Sequence, residues 1–359
     1  MARRLYPLQN KMMTPLAWFT DTFSNAQEWL FNAAIQPLML ALGLANLLED
    51  GFAATAWLLA GVLQILVLLA IVGPLQRWRP VEPVTDRATI RTDILYTLIH
   101  RLGLFRIVLF FTLEPWFDEF FGALRTAGYS TFHVDQVWPG VTDNAIVSLL
   151  FYLVIFDFLA YWTHRGQHQL QWWWRLHSLH HAQRQMTMWS DNRNHLLDDV
   201  LVDCIVVLAA QLIGVAPGQF VAIVALTQLS ESFQHANIRL WFGHVGERLW
   251  VSPRFHRLHH GIGIGHETPV TGSLKQMTAS PASTAVKPVR GLTAAPPVRL
   301  GGHNFGVLLP WWDALFGTAN FEYRFDATGI RDQVDSQRDY GRGFWSQQWL
   351  GLKRLVGRA

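Results

Sequence analysis

Apolar residues in this chain gather into long runs rather than alternating with polar ones, so the run lengths set the first expectation. A bilayer core of about 30 Å takes about 20 apolar residues in a helix. Three stretches come near that length: Phe31 to Leu48, Ala53 to Val72 and Ala145 to Trp162. A fourth, Ile94 to Leu113, is apolar but carries His100, Arg101 and Arg106, which must face protein or the interface. Val200 to Val215 and Phe220 to Leu229 are too short to cross comfortably. Ala216-Pro217-Gly218 between them is a turn signal, so the pair reads as a hairpin.

Lys and Arg order the loops. Arg3, Arg4 and Lys11 precede the first run and Arg77, Arg79, Arg87 and Arg91 follow the second, whereas the link between those runs carries Glu49 and Asp50 and no base. The positive-inside rule places the N-terminus in the cytoplasm, the acidic stretch from Glu114 to Asn144 outside, and His164 on the cytoplasmic side. No compact apolar core of a signal peptide precedes the first run, so no cleavage is expected. From Gly261 to Gly302 the texture changes to Gly, Pro, Ala, Thr and Ser, the mark of a long flexible loop. Phe305 to Ala359 regains Trp311, Trp312, Phe316, Trp345 and Trp349, with Lys353, Arg354 and Arg358, as a cap resting on the membrane surface would. The expected divisions are a cytoplasmic N-terminal segment (1–30), the first transmembrane helices and loops (31–142), a histidine-bearing membrane unit (143–260), an inserted loop (261–302) and a C-terminal cap (303–359).

Composition agrees with a membrane setting. Of 359 residues, 50% are hydrophobic and only 15% charged, against roughly 25% charged in soluble domains. The single cysteine, Cys204, excludes an intrachain disulfide and any cysteine-based zinc or iron–sulfur site. A net charge of +3 is too slight to argue for nucleic acid, and the basic residues stand beside apolar runs, where anionic headgroups are the expected partner.

The chemistry lies in the histidines. Of fifteen, only His100 and His133 precede His164, and the rest fall between His164 and His303. His164 and His168 are four residues apart, one turn along one helix face. His177, His180 and His181 form a stripe at i, i+3 and i+4, and His256, His259 and His260 repeat it. One such group is commonly a solvated helix face, but three together are not a chance result. Eight imidazoles exceed what one ion takes, so a two-metal site is inferred, with iron, manganese, copper or zinc open on ligand chemistry.

The motif Asp157-x-x-x-Tyr161-Trp162-x-His164-Arg165-x-x-His168, the two His-x-x-His-His groups, Asn304-Phe-Gly and Trp312-Asp313-x-Leu-Phe-Gly-Thr318 form an ordered set. Over about Ala145 to Thr318 this set resembles the fatty acid hydroxylase and sterol desaturase superfamily of membrane di-iron oxygenases. The resemblance implies an all-α fold, a polytopic membrane helical bundle with a cytoplasmic histidine-rich helical cap, and two iron ions with O2 as co-substrate. The residues it makes catalytic and metal-binding are His164, His168, His177, His180, His181, His256, His259 and His260. His235 and His195 are further candidate ligands, while His244, His266 and His303 are not. Asp157 and Asn304 are expected behind the ligands, Asp157 as acceptor for an imidazole. The chain departs from the family in the long insertion before Gly302 and in Leu196, where a proline often follows the corresponding histidine.

The implied activity is oxidation of an unactivated C–H bond of a lipid, fatty acyl or sterol-like substrate, by hydroxylation or by desaturation. Electrons are expected from a separate donor of cytochrome b5, ferredoxin or pterin type, and the location is a bacterial inner membrane or the endoplasmic reticulum. Two rival classes fit the motifs less well. A membrane zinc protease lacks its His-Glu-x-x-His signature here. A histidine-rich metal transporter or sensor would place ligands at the bilayer midplane rather than just past the ends of spans. Near the ligands, Trp172, Trp173 and Trp174 read as an interfacial belt, and Asp198 and Asp199 as supports for His195 or caps of the hairpin helix.

Overall fold

The computed structural model describes residues 14–262 and 302–359, so most of the expected inserted loop, His266 within it, and the first thirteen residues lie outside the described residues. The described residues are all-α, with one isolated bridge between Gly261 and Thr328.

Helix α1 (Pro15–Leu30) begins where the Thr14 hydroxyl accepts the Ala17 N–H, and it runs on through a π turn at Phe31–Ile35 into Gln36–Ala41. There it stops. The run from Phe31 to Leu48, expected as one span, is split by a Schellman turn. Gly43, at φ 74°, donates to Leu40 O and Leu44 donates to Met39 O. Apolar content set that expectation, and one left-handed glycine overrides it. Two helices are long and apolar enough to cross a membrane, α2 (Ala45–Trp78) and α6 (Ala145–Gln169). Helices α3 (Arg87–Arg101) and α4 (Leu104–Thr112) meet at a 49° bend and make a third if they form one broken span. Leu63, Leu66, Leu69 and Ile71 on α2 and Ile146, Leu150 and Phe151 on α6 face outward, as lipid-facing side chains do.

Gly61 shows how closely the spans pack. A Cβ there would lie 1.6 Å from the carbonyl oxygen of Arg101, so only glycine lets α2 approach the end of α3. After α5 (Glu114–Thr126), α6 starts on Asn144, whose side chain accepts from the Ile146 and Val147 N–H groups. It ends at extended Leu170, and α7 (Gln171–His181) turns back against it. The hairpin expected near residues 200–229 is formed by α8 (Leu196–Ile213) and α9 (Pro217–His235), which turn at Gly214 (φ 62°). Helix α10 (Pro253–His259) follows an N-cap Ser252 and a proline at its first turn. After α11 (Trp311–Leu315), α12 (Phe344–Leu355) packs on α7.

Candidate metal centre

The four helix ends that carry histidines converge. Helix α6 supplies His164 and His168 from its last turns, α7 supplies His177, His180 and His181, α9 supplies His235 from its last residue, and α10 with its C-cap supplies His256, His259 and His260. All nine are buried. They fall into two sets able to hold a metal each: His164, His168, His177, His181 and His259, and His180, His235, His256 and His260. His181 and His260 stack at 4.3 Å between ring centres, so the sets adjoin.

In the second set Nε2 of His235 lies 3.1 Å from Nε2 of both His180 and His256, and Nε2 of His260 lies 3.1 Å from that of His256. Ring nitrogens crowded in this way repel one another unless a cation or a shared proton stands between them. Metal–nitrogen bonds of about 2.1 Å place neighbouring ligand nitrogens about 3 Å apart, which these separations match. The opposite ring faces are tied down. Nδ1 of His164 bonds Phe305 O at 2.9 Å, that of His235 bonds Glu231 O at 2.7 Å and that of His259 bonds His303 O at 2.8 Å. Nδ1 of His177 bonds Asp198 Oδ2 at 3.1 Å. Each Nδ1–H so held leaves an Nε2 lone pair facing inward. Nε2 of His168, His177, His181 and His259 is buried without a hydrogen-bond partner. Burial first, and neighbouring imidazoles next, push His180, His181, His256, His259 and His260 well below the usual histidine range, which keeps them in the neutral form a metal needs.

Other residues fall elsewhere than expected. His195 stands outside both sets. Its Nδ1 accepts the Leu197 N–H at 3.1 Å as N-cap of α8, and its Nε2 bonds Gln348 O at 2.9 Å, so no ring nitrogen is left for a metal. Asp157 touches no imidazole. It accepts the N–H groups of Leu308 (2.7 Å) and Leu309 (3.2 Å) and the indole N–H of Trp312 (2.9 Å), because α6 runs beside the 305–312 loop at that level. The imidazole acceptor is instead Asp198, which also takes N–H groups from Trp173 (2.6 Å) and Gln167 (2.9 Å). Asn304, at φ 60°, donates to Phe255 O and Asn320 O and so clasps α10 behind His256 and His259. Trp173 and Trp174 are buried rather than interfacial. Trp174, with its ring centre 5.0 Å from that of His168 and 5.2 Å from that of His181, walls in the cluster, Trp173 donates to Asp198, and Trp172 is exposed. His244 meets the Trp241 ring edge-on at 5.0 Å and belongs to neither set, and His303 serves through its carbonyl.

A cavity of about 280 Å³ opens on both sets, touching His164, His177, His180, His235 and His256. Its lining mixes apolar residues, among them Phe105, Phe156, Val206, Ile223 and Val224, with buried polar ones such as Asp191 and Asn192. The carbonyl partners of the imidazoles carry no sequence signal, since any residue offers a carbonyl. Asp198 did carry one, as a carboxylate three residues beyond a histidine.

Comparison with known proteins agrees with the motifs. Residues 149–268 match the model of the fatty acid hydroxylase family, and this segment is a fatty acid hydroxylase domain. The chain is similar to an ornithine lipid hydroxylase, OlsE, of Rhizobium tropici, at 26% identity over 299 residues covering 81% of this chain and 76% of the relative. It is also similar to an alkylglycerol monooxygenase of Caenorhabditis elegans, at 26% identity over 115 residues covering 31% of this chain and 22% of the relative. No solved structure matches.

Proposed function

We propose that this chain is a membrane-bound di-iron oxygenase that oxidises an unactivated C–H bond of a lipid, with hydroxylation favoured over desaturation. The observation that carries the reading is the meeting of nine buried imidazoles, in two adjoining sets, with a cavity that several apolar side chains help to line. His164, His168, His177, His181 and His259 would hold one iron and His180, His235, His256 and His260 the other, and the metals when bound supply the O2 chemistry. In the hydroxylation one oxygen atom enters the C–H bond, and the other leaves as water with two electrons and two protons from a separate donor. The protein's share is to fix the imidazole tautomers, position the chain end and exclude water. Two relatives named as lipid oxygenases support the substrate class. Residues 143–260 and 303–359 together would form the catalytic unit, facing the cytoplasm as the loop charges require.

The test is metal content per chain of the detergent-purified protein from iron-supplemented cells, beside His180→Ala and His244→Ala. Iron and zinc are both counted, since zinc binds such sites more tightly than ferrous iron. About two metals per chain, reduced in His180→Ala and kept in His244→Ala, with O2-dependent addition of oxygen to lipid, is the expected result. Fewer than one metal in every sample after anaerobic loading would end the proposal.

A further inference from the structure

A second cavity, of about 510 Å³, lies between α7, α12 and the 331–340 segment, and it shares no lining residue with the histidine-lined one. Four arginines line it, Arg175, Arg331, Arg338 and Arg354, against two aspartates, Asp332 and Asp335. Arg338 is committed. It donates to Asp332 Oδ2 at 3.0 Å and to Ala359 O at 2.8 Å, and the Tyr340 hydroxyl donates to Asp332 as well, at 3.0 Å. Arg354 is only 3% exposed. Its guanidinium lies 4.4 Å over the Tyr340 ring and its Nε reaches the Arg175 carbonyl at 3.4 Å, but Nη1 and Nη2 are buried with no acceptor among the described residues. Asp332 and Asp339 act on it through space, yet neither is bonded to it, and Asp339 takes the Gly341 N–H instead. Arg175, which donates to Leu355 O at 3.0 Å, stands beside it.

A guanidinium held out of water with unmet N–H groups costs free energy unless an acceptor reaches it. Trp174 and Tyr340 border the same space, and its volume is that of a small organic molecule rather than of a bare ion. Arginine forks take carboxylates and phosphates in a bidentate way. A phosphate monoester, with up to two charges and three acceptor oxygens, can meet more than one guanidinium at once. We infer that this cavity binds a phosphate ester, with Arg354 and Arg175 on the phosphate and the organic part against Trp174 and Tyr340. The site stands behind the histidine cluster rather than in it, since Trp174 also touches the rings of His168 and His181.

The test is isothermal titration of the full-length protein in detergent with glycerol phosphate, with dihexanoyl phosphatidic acid and with uncharged glycerol. Both phosphate compounds are expected to bind and glycerol is not. Arg354→Gln should weaken phosphate binding at least about tenfold, since a charge-assisted hydrogen bond is lost, while metal content stays and shows the variant is folded. Asp335→Asn, at an exposed edge of the cavity, removes a negative charge and should tighten binding about two- to threefold, a gain that misfolding does not produce. Phosphatidic acid binding about tenfold tighter than glycerol phosphate supports the site and makes it one for a lipid head group. Equal binding of the two supports it as a site for a soluble phosphate ester. No binding of either up to about 10 mM overturns the inference. So does binding that Arg354→Gln leaves unchanged, which would put the phosphate on the metals or the micelle. Should Arg354→Gln fail to fold, an unchanged affinity in Asp335→Asn overturns the inference in its place.

Discussion

Asp198 holds His177 from outside the histidine cluster. One of its oxygens accepts the imidazole Nδ1 at 3.1 Å while the other takes the Trp173 indole N–H at 2.6 Å and the Gln167 amide at 2.9 Å. Three helices, α6, α7 and α8, are therefore joined at one buried carboxylate. Asp198→Asn keeps the shape but loses the charge and presents an amide N–H to at least one donor. The expected result is roughly 10- to 100-fold weaker metal binding with helix content unchanged, read by chelator competition and circular dichroism. Unchanged affinity would show that Asp198 serves packing alone.

The two sets of imidazoles can be emptied separately. His168 belongs to the first and His256 to the second. Each alanine variant at these positions is expected to lose about one metal per chain and the double variant both, read by elemental analysis after anaerobic loading. Loss of all metal in either single variant would show that the two sites fill only together.

Asp157→Ala leaves three N–H donors, those of Leu308, Leu309 and Trp312, without their acceptor in a buried place. A lost buried partner costs about 1–3 kcal/mol, so thermal unfolding should shift down by several degrees. Because Phe305 in the same loop bonds His164, the variant should also bind its metals more loosely. A Tm equal to that of the unaltered protein would contradict the anchoring role.

Gly61→Ala puts a methyl group 1.6 Å from the Arg101 carbonyl oxygen, a backbone atom that cannot swing aside. Separation of α2 from α3 is the expected outcome, with about 1–3 kcal/mol or more lost and a lower yield of monodisperse protein in detergent. Normal yield and Tm would show that the helices part there without cost.

Acid should destabilise the metal-free protein. His180, His181, His256, His259 and His260 are held well below their ordinary range by burial, so between about pH 6.5 and their folded values the unfolded chain binds more protons. Their contribution to stability is complete above pH 6.5 and declines as the pH falls. The Tm of metal-free protein should drop steadily from about pH 6.5 to 5, and the metal-loaded protein should release metal over a lower range. A flat Tm through that interval would mean that these imidazoles are not kept neutral.

Local spacing made the eight motif histidines legible, because i, i+3 and i+4 on a helix face is a sequence property. His235, just after the expected hairpin, was reached only through its resemblance to a family ligand position. His195 and Asp157 were misplaced for one reason. Both are polar residues near a ligand motif, and the sequence does not reveal which neighbour lies across a helix interface. For His195 that neighbour is Gly351, which gives the ring room, with Gln348 one turn before it. For Asp157 it is the loop after residue 304, nearly 150 residues away.

By itself the sequence determined the helical membrane class, two of the three long apolar helices and the histidine stripes, since all of these follow from run length and 3.6-residue periodicity. Only the tertiary structure decided how nine imidazoles divide into two sets, and which carbonyls and carboxylate fix their tautomers. It also decided that the space beside them is lined by Asp199, Glu231 and Asn192 as well as by hydrocarbon. Those are pairings between helix ends far apart in the chain, and they are set by packing distances that no local pattern encodes.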